Sequence, residues 1–293
     1  MDTGTKIDLF ELADANKKQL ESEYQRIKLK SDRKKSDLLE SFGARVKNEW
    51  HLSINMHDWP LFEVLDSGKY VNVYELKDNQ AEQLMKVGKL DDSSAKSAKE
   101  EAVRKHLKTF YEGRKIFDSS ISKGEKARYA ALNIGGVGTT GYGRYCIVIK
   151  REKAEKYKRL AFIKEDSAVS YVDNGCLLLD KLMRDVTNKE CVDILAVVKH
   201  ENEIETISSE NWNRMVCNDS SNIEAVTLDD ILRSHIKCVR IDKTYYKEIY
   251  WDSLAKIFNS ELTEIERYRL TLVKKVFKEL EKRGIELEII DEN

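Results

Sequence analysis

Proline is almost absent: the chain has one, Pro60, in 293 residues. Turns must therefore come from Gly, Asn, Asp and Ser. Paired cysteines are absent as well. The five cysteines (146, 176, 191, 217 and 238) show no C-x-x-C and no paired spacing. That argues against a disulfide framework and for a reducing, cytoplasmic setting. Cys146, Cys176 and Cys191 sit in apolar runs, where a free thiol behaves as a small core residue. The five histidines form neither H-x-x-x-H nor H-E-x-x-H, so no metal site is expected. Net charge is also lacking. At −1, no global field draws the chain onto nucleic acid or membrane. No apolar run reaches spanning length; the longest, around 145–149 and 191–198, are strand-sized. The opening MDTGTKIDLFEL has no basic start and apolar core, unlike a secretory signal.

The chain does have a hydrophobic content of 41%, enough for a core, and a charged content of 35%, which suits long exposed helices. The length fits one large domain with attachments, or two domains. The pattern divides into a helical region (1–58), a core (59–250) and a C-terminal helix with a short strand (251–293). Over 6–50, Ile7, Phe10, Ala13, Leu20, Tyr24 and Ile27 fall at helical spacing. The basic run RIKLKSDRKK (26–35) reads as a solvated helix face, or as a contact for an acidic partner or nucleic acid. Lys69–Leu76 alternates and reads as a strand. Residues 78–117 return to a polar pattern that reads as helix, with Ala102, Val103, Leu107 and Phe110 on one face and Gly113 following. Strands are expected at Tyr129–Ile134, Tyr145–Lys150, Leu160–Lys164, Val192–Lys199, Glu203–Ile207, Asn222–Thr227 and Ile236–Ile241, with a helix near Leu177–Val186. Trp251–Arg283 reads as an amphipathic helix capped by Gly284, followed by IELEII as an edge strand.

Five of thirteen glycines lie in NIGGVGTTGYGRYCIVIK (133–150), and Gly136 to Gly141 matches G-x-G-x-x-G. A dinucleotide fingerprint needs a helix after it, to hold the pyrophosphate. Here the next stretch is YGRYCIVIK, aromatic and β-branched, a poor helix start and a good strand. There is no G-K-[ST] either. The glycines are expected to form a wide hairpin connection, supplying positive φ angles.

The stretches ARYAALNI and YGRYCIVIK resemble the opening of the catalytic core in bacterial ADP-ribosyltransferases of the R-S-E class. They are especially similar to a bacterial family with R-P-x-Y-G-A-L-N-L, a glycine loop and a second strand. AFIKEDSAVSY (161–171) resembles that family's F-x-x-x-D-S segment, and SNIEAVTLDDILRSHIKCVRID (221–242) its Y-I-E-A segment. The resemblance covers about residues 127–245. It departs in lacking a glycine before Asp-Ser and the full Ser-Thr-Ser. It departs also at Asn222, where arginine-modifying members carry Glu.

The resemblance implies an α+β fold, a split antiparallel β-sandwich around an NAD cleft, with helices before and after. It implies cleavage of NAD and transfer of ADP-ribose to a macromolecule, in a toxin–antitoxin or phage-defence system or as an exported effector. An antitoxin protein fits as a partner, and RNA, DNA or protein as acceptor. Arg128 matches the arginine that clamps the pyrophosphate, Ser167 the hydroxyl (Ser170 second) and Glu224 the carboxylate opposing the ribosyl cation. Tyr142 and Tyr171 are the candidates for stacking on nicotinamide, and Tyr129, Asn133 and Gly135 for further contacts to NAD. The competing reading is a non-enzymatic α+β binding module working through its helices.

Overall fold

The computed structural model describes residues 6–77, 97, 100–101, 103–105, 107–252 and 263–291. The first helices are α1 (Leu9–Ala15), α2 (Lys17–Lys30) and α3 (Arg33–Glu49). Asp8 and Asp32 accept backbone N–H bonds at the starts of α1 and α3, as capping carboxylates do. α3 buries Leu39, Phe42, Gly43 and Val46 on one face. Then comes β1 (His51–Met56), a strand inside the region expected to be helical, followed by α4 (Asp58–Ser67). Lys69–Leu76 is not a strand: Lys69 makes a lone bridge to Leu232, and 73–77 is helical. Ala102 and most of 78–106 lie outside the described residues, and α5 is Tyr111–Ser120.

The remaining strands are β2 (Arg128–Asn133), β3 (Tyr145–Ile149), β4 (Leu160–Ile163), β5 (Val172–Asp173), β6 (Cys176–Leu177), β7 (Val186–Asn188), β8 (Glu224–Thr227), β9 (Ile236–Asp242) and β10 (Glu286–Ile290). The longer helices among them are α6 (Leu179–Asp185), α7 (Val192–His200) and α8 (Glu264–Arg283). The expected strand at 192–199 is thus helix α7, and 203–207 is a run of turns. α7 packs between α2 and α3, and its apolar residues are buried on nearly every side. A helix buried all round shows no polar face to reveal its period. At 247–252 the chain makes a π-helical turn. Leu254, Ile257, Phe258 and Leu262 lie outside the described residues. Gly284 ends α8 at φ +63°, and β10 is the edge strand expected.

The fold is α+β, with one eight-stranded sheet in place of the expected split pair. Its order is β10-β9-β3-β1-β2-β8-β4-β7, antiparallel except at β9–β10, and β5–β6 form a separate ribbon. The expected strands that do form pair edge to edge in this one sheet, because β1 joins β3 to β2. One face bears Leu52, Ile54, Leu132, Ile147, Val239 and Ile241 and packs on α2, α3, α4, α7 and α8. The other carries a second core around Phe117, Ala161, Ile163, Tyr171 and Val226. Among the described residues no helix is long and apolar enough to cross a membrane.

The glycine loop is not a hairpin. β2 and β3 are both antiparallel to β1, so they run parallel, and residues 134–144 return across the face of β1. Asn55 holds the returning chain: Nδ2 donates to the carbonyls of Val137 (2.9 Å) and Gly143 (3.0 Å), and Oδ1 accepts from Thr139 N (3.0 Å). Gly138, at φ +75°, would put a Cβ 2.2 Å from Asn55 Oδ1, so only glycine lets the chain lie this close. The loop ends in a tight turn at Thr140–Tyr142 and enters β3, with no helix after Gly141.

Candidate active site

β8 begins at Glu224, whose register partners are Ala131 on β2 and Ile163 on β4. Just past β4, Asp166 caps the helical turn Ser167–Ser170 by accepting from Ala168 N (2.8 Å). α5 lies against that turn so closely that a Cβ on Gly113 would sit 1.8 Å from the Ala168 carbonyl oxygen. This approach delivers the next residue, Arg114, to the site. Its Nη1 donates to Ser167 Oγ (2.8 Å) and its Nη2 to Glu224 Oε1 (2.9 Å). The other Glu224 oxygen accepts from Ser167 N (3.0 Å). A guanidinium, a hydroxyl and a carboxylate, from three elements far apart in sequence, form one closed set of hydrogen bonds.

All three are buried. The guanidinium lies 3.6 Å from the centroid of the Tyr129 ring. Asp166 Oδ1 stands 3.7 Å from Arg114 Nη2. Asp118, further along α5, accepts from Tyr74 (2.9 Å) and from the Tyr129 hydroxyl. Burial pushes the Glu224 carboxyl up to about 6, more than Arg114 pulls it down, and Asp166 adds to the rise. Burial raises Asp118 too. Burial opposes the charge on Arg114, yet Glu224, Tyr129, Asp118 and Asp166 together hold its pKa well above the usual value.

Arg114, Asp118, Tyr129, Asp166 and Glu224 help wall a cleft of about 250 Å³, lined also by Asn55, Tyr70, Tyr74, Thr139, Tyr142 and Asn222. The Tyr142 hydroxyl donates to Asp166 Oδ2 (2.8 Å), and Asp219 ties down its loop through Thr140 Oγ1 and Gly141 N (both 2.8 Å). Behind the site, Lys199 donates to the Lys164 carbonyl (2.6 Å), Glu165 Oε2 (2.9 Å) and the Asn222 carbonyl (2.8 Å). One buried ammonium thus ties together the segments that present Ser167 and Glu224, and burial lowers its pKa.

Of the residues picked out from sequence, Ser167, Glu224, Tyr129 and Tyr142 converge here. Arg128 does not join them. It is three positions from Ala131, so it points to the opposite face of the sheet from Glu224. There it pairs with Glu75 (2.9 Å) and Asp230 (3.0 Å) and donates to the carbonyls of Tyr70 and Lys126. Asn133 is buried in the crossover, donating to Ser53 Oγ and the Gly136 carbonyl and accepting from the amides of Gly135 and Gly136. Tyr171 is fully buried in the second core, its hydroxyl on Asp185 (3.0 Å), and the Ser170 carbonyl accepts from Lys181. Arg114 is the residue that sequence reasoning missed. The signal was Gly113, which lies inside α5, where glycine costs about 1 kcal/mol against alanine unless a close contact requires it.

Among the described residues no three His, Cys, Asp or Glu side chains group as a metal site. No protein-family model matches the chain, and no curated protein matches it.

Proposed function

We propose that the cleft is the active site of an ADP-ribosyltransferase, which breaks the bond between nicotinamide and ribose in NAD⁺ and passes ADP-ribose to a macromolecule, protein or nucleic acid. The observation that carries this reading is the hydrogen-bonded set Arg114–Ser167–Glu224, of which Arg114 and Glu224 line a tyrosine-walled cleft and Ser167 lies buried behind them. Ser167 and Glu224 are also the serine and carboxylate positions of the R-S-E resemblance, whereas Arg114 lies outside it, on α5.

Positive charge grows on the ribose as nicotinamide leaves. A carboxylate fixed in place beforehand opposes that charge without reorganising. Glu224 has both oxygens fixed by donors and, with its pKa at about 6, is mostly ionised at neutral pH. Arg114 is ringed by Glu224, Asp166 and Asp118, so its charge is more than balanced. It orients Glu224 and leaves the cleft suited to the cationic nicotinamide–ribose end of NAD⁺ rather than to the pyrophosphate. The volume agrees. About 250 Å³ is below the roughly 300–1,000 Å³ usual for drug-sized ligands, and so takes one end of a dinucleotide. Tyr70, Tyr74, Tyr129 and Tyr142 supply aromatic surface for the nicotinamide ring. The biological setting implied by the resemblance is a toxin or effector, in a toxin–antitoxin or phage-defence system.

The test is nicotinamide release from NAD⁺ by purified protein. The wild type is expected to release it, and Glu224→Gln, verified as folded by a cooperative unfolding transition, to lose about 10²–10³-fold. A folded wild type that releases none, and labels nothing in lysate from labelled NAD⁺, returns the chain to the reading of a binding module.

A further inference from the structure

The three carboxylates around Arg114 have different commitments. Glu224 gives one oxygen to Arg114 and the other to the Ser167 amide. Asp118 is 4% exposed and holds a tyrosyl hydroxyl on each oxygen. Asp166 is the outermost of the three, its side chain 18% exposed, and it lines the cleft. Its 3.7 Å approach to Arg114 is a charge contact, too long for a hydrogen bond. Each of its oxygens accepts one bond, from Ala168 N and from the Tyr142 hydroxyl. A carboxylate oxygen has a second lone pair, so accepting capacity remains on Asp166.

We infer that Asp166 is the general base that takes the proton of the incoming nucleophile, and that the acceptor is therefore a group that must lose a proton to react, a hydroxyl or an amine. This rests on the reading of the cleft as an NAD⁺-cleaving site. Glycosyl transfer uses two carboxyl functions, one facing the developing cation and one handling the proton of the attacking group. Glu224, held from two sides, suits the first. Asp166, at the rim where an acceptor arrives, suits the second. In the step, a lone pair of the acceptor oxygen or nitrogen forms a bond to C1′ of the ribose. The C1′–N bond breaks and its electron pair goes to the ring nitrogen, giving neutral nicotinamide. The acceptor's proton passes to Asp166 and then to water.

Azide separates the two roles, because it attacks with no proton to lose. Nicotinamide release from NAD⁺ is measured for the full-length wild type, Asp166→Asn and Glu224→Gln, in buffer, with methanol, and with sodium azide. Asn caps a helical turn as well as Asp does, and Asp166→Ser, another capping residue, is the second variant. Melting temperature verifies folding. Both Asp166 variants are expected to lose about 100-fold or more in buffer and methanol. Azide is expected to restore them to within about tenfold of wild type, with ADP-ribosyl azide as the product. Glu224→Gln stays inactive with azide. The inference is overturned if the folded Asp166 variants release nicotinamide at the wild-type rate in buffer, or if azide does not restore them. Recovery of Glu224→Gln by azide exchanges the two roles and overturns it equally. A wild type that releases no nicotinamide with any nucleophile removes the underlying reading, a result distinct from all of these.

Discussion

Replacing Gly113 by alanine sets two effects of opposite sign against each other. Gly113 lies inside α5, so helix propensity alone predicts a gain of about 1 kcal/mol. The new Cβ, however, would stand 1.8 Å from the Ala168 carbonyl oxygen and 2.9 Å from its carbon, both below the 3.0 Å that real Cβ contacts respect. The helix and the Ser167–Ser170 turn must part by more than about 1 Å. Forcing a group into a packed contact costs about 1–3 kcal/mol, so the net effect is a loss of up to about 2 kcal/mol. The separation also falls across the bond from Arg114 to Ser167, now 2.8 Å, and pulls on the 2.9 Å bond to Glu224. A misplacement of about 1 Å costs about 100-fold in rate. Urea unfolding gives the stability and nicotinamide release the activity. A Gly113→Ala protein that is more stable than wild type and equally active would refute the close approach and the assignment of Arg114 together.

Three further outcomes are expected. Glu224 titrates near 6 in the folded protein against an ordinary 4.5, so the folded state holds its proton more tightly than the unfolded chain. Its contribution to stability is therefore greatest below about pH 4.5, falls by about 2 kcal/mol as pH rises to about 6, and is level above that. Activity moves the other way, rising through pH 6 as the carboxylate ionises. Comparing unfolding curves of wild type and Glu224→Gln across pH 4–8 checks the first, and the pH–rate profile the second. Arg128→Met removes a buried guanidinium that serves two carbonyls and two carboxylates and does not itself line the cleft, and is expected to cost about 1–3 kcal/mol. Activity of the folded fraction should stay within a few-fold; a loss beyond 100-fold with a raised KM for NAD⁺ would restore Arg128 to the pyrophosphate.

The sequence showed β2, β3, β4, β8 and β9 because their β-branched and aromatic residues form short runs bounded by turn residues. It hid β1, whose buried Ser53 and Asn55 look like surface positions until the crossover above them is known. It hid α7, apolar on nearly all sides. At the site, Ser167 and Glu224 stood in local motifs, and the structure adds their hydrogen-bonded contact. Arg114 had no motif, because its placement depends on how near α5 comes to a turn more than fifty residues away. Arg128 had the motif position but, by strand alternation, the wrong face.

The crossover over β1 makes the amino-terminal segment indispensable rather than appended. A shortened gene starting after residue 58, where composition changes, would delete the strand that mates β2 with β3 and the amide that fastens the glycine loop. Two half-sheets with raw edges would be left, and the loop bearing Tyr142 would lose its seat. For the same reason a ribosome releases the central strand first and its neighbours long afterwards, so assembly must wait for chain made some eighty residues later.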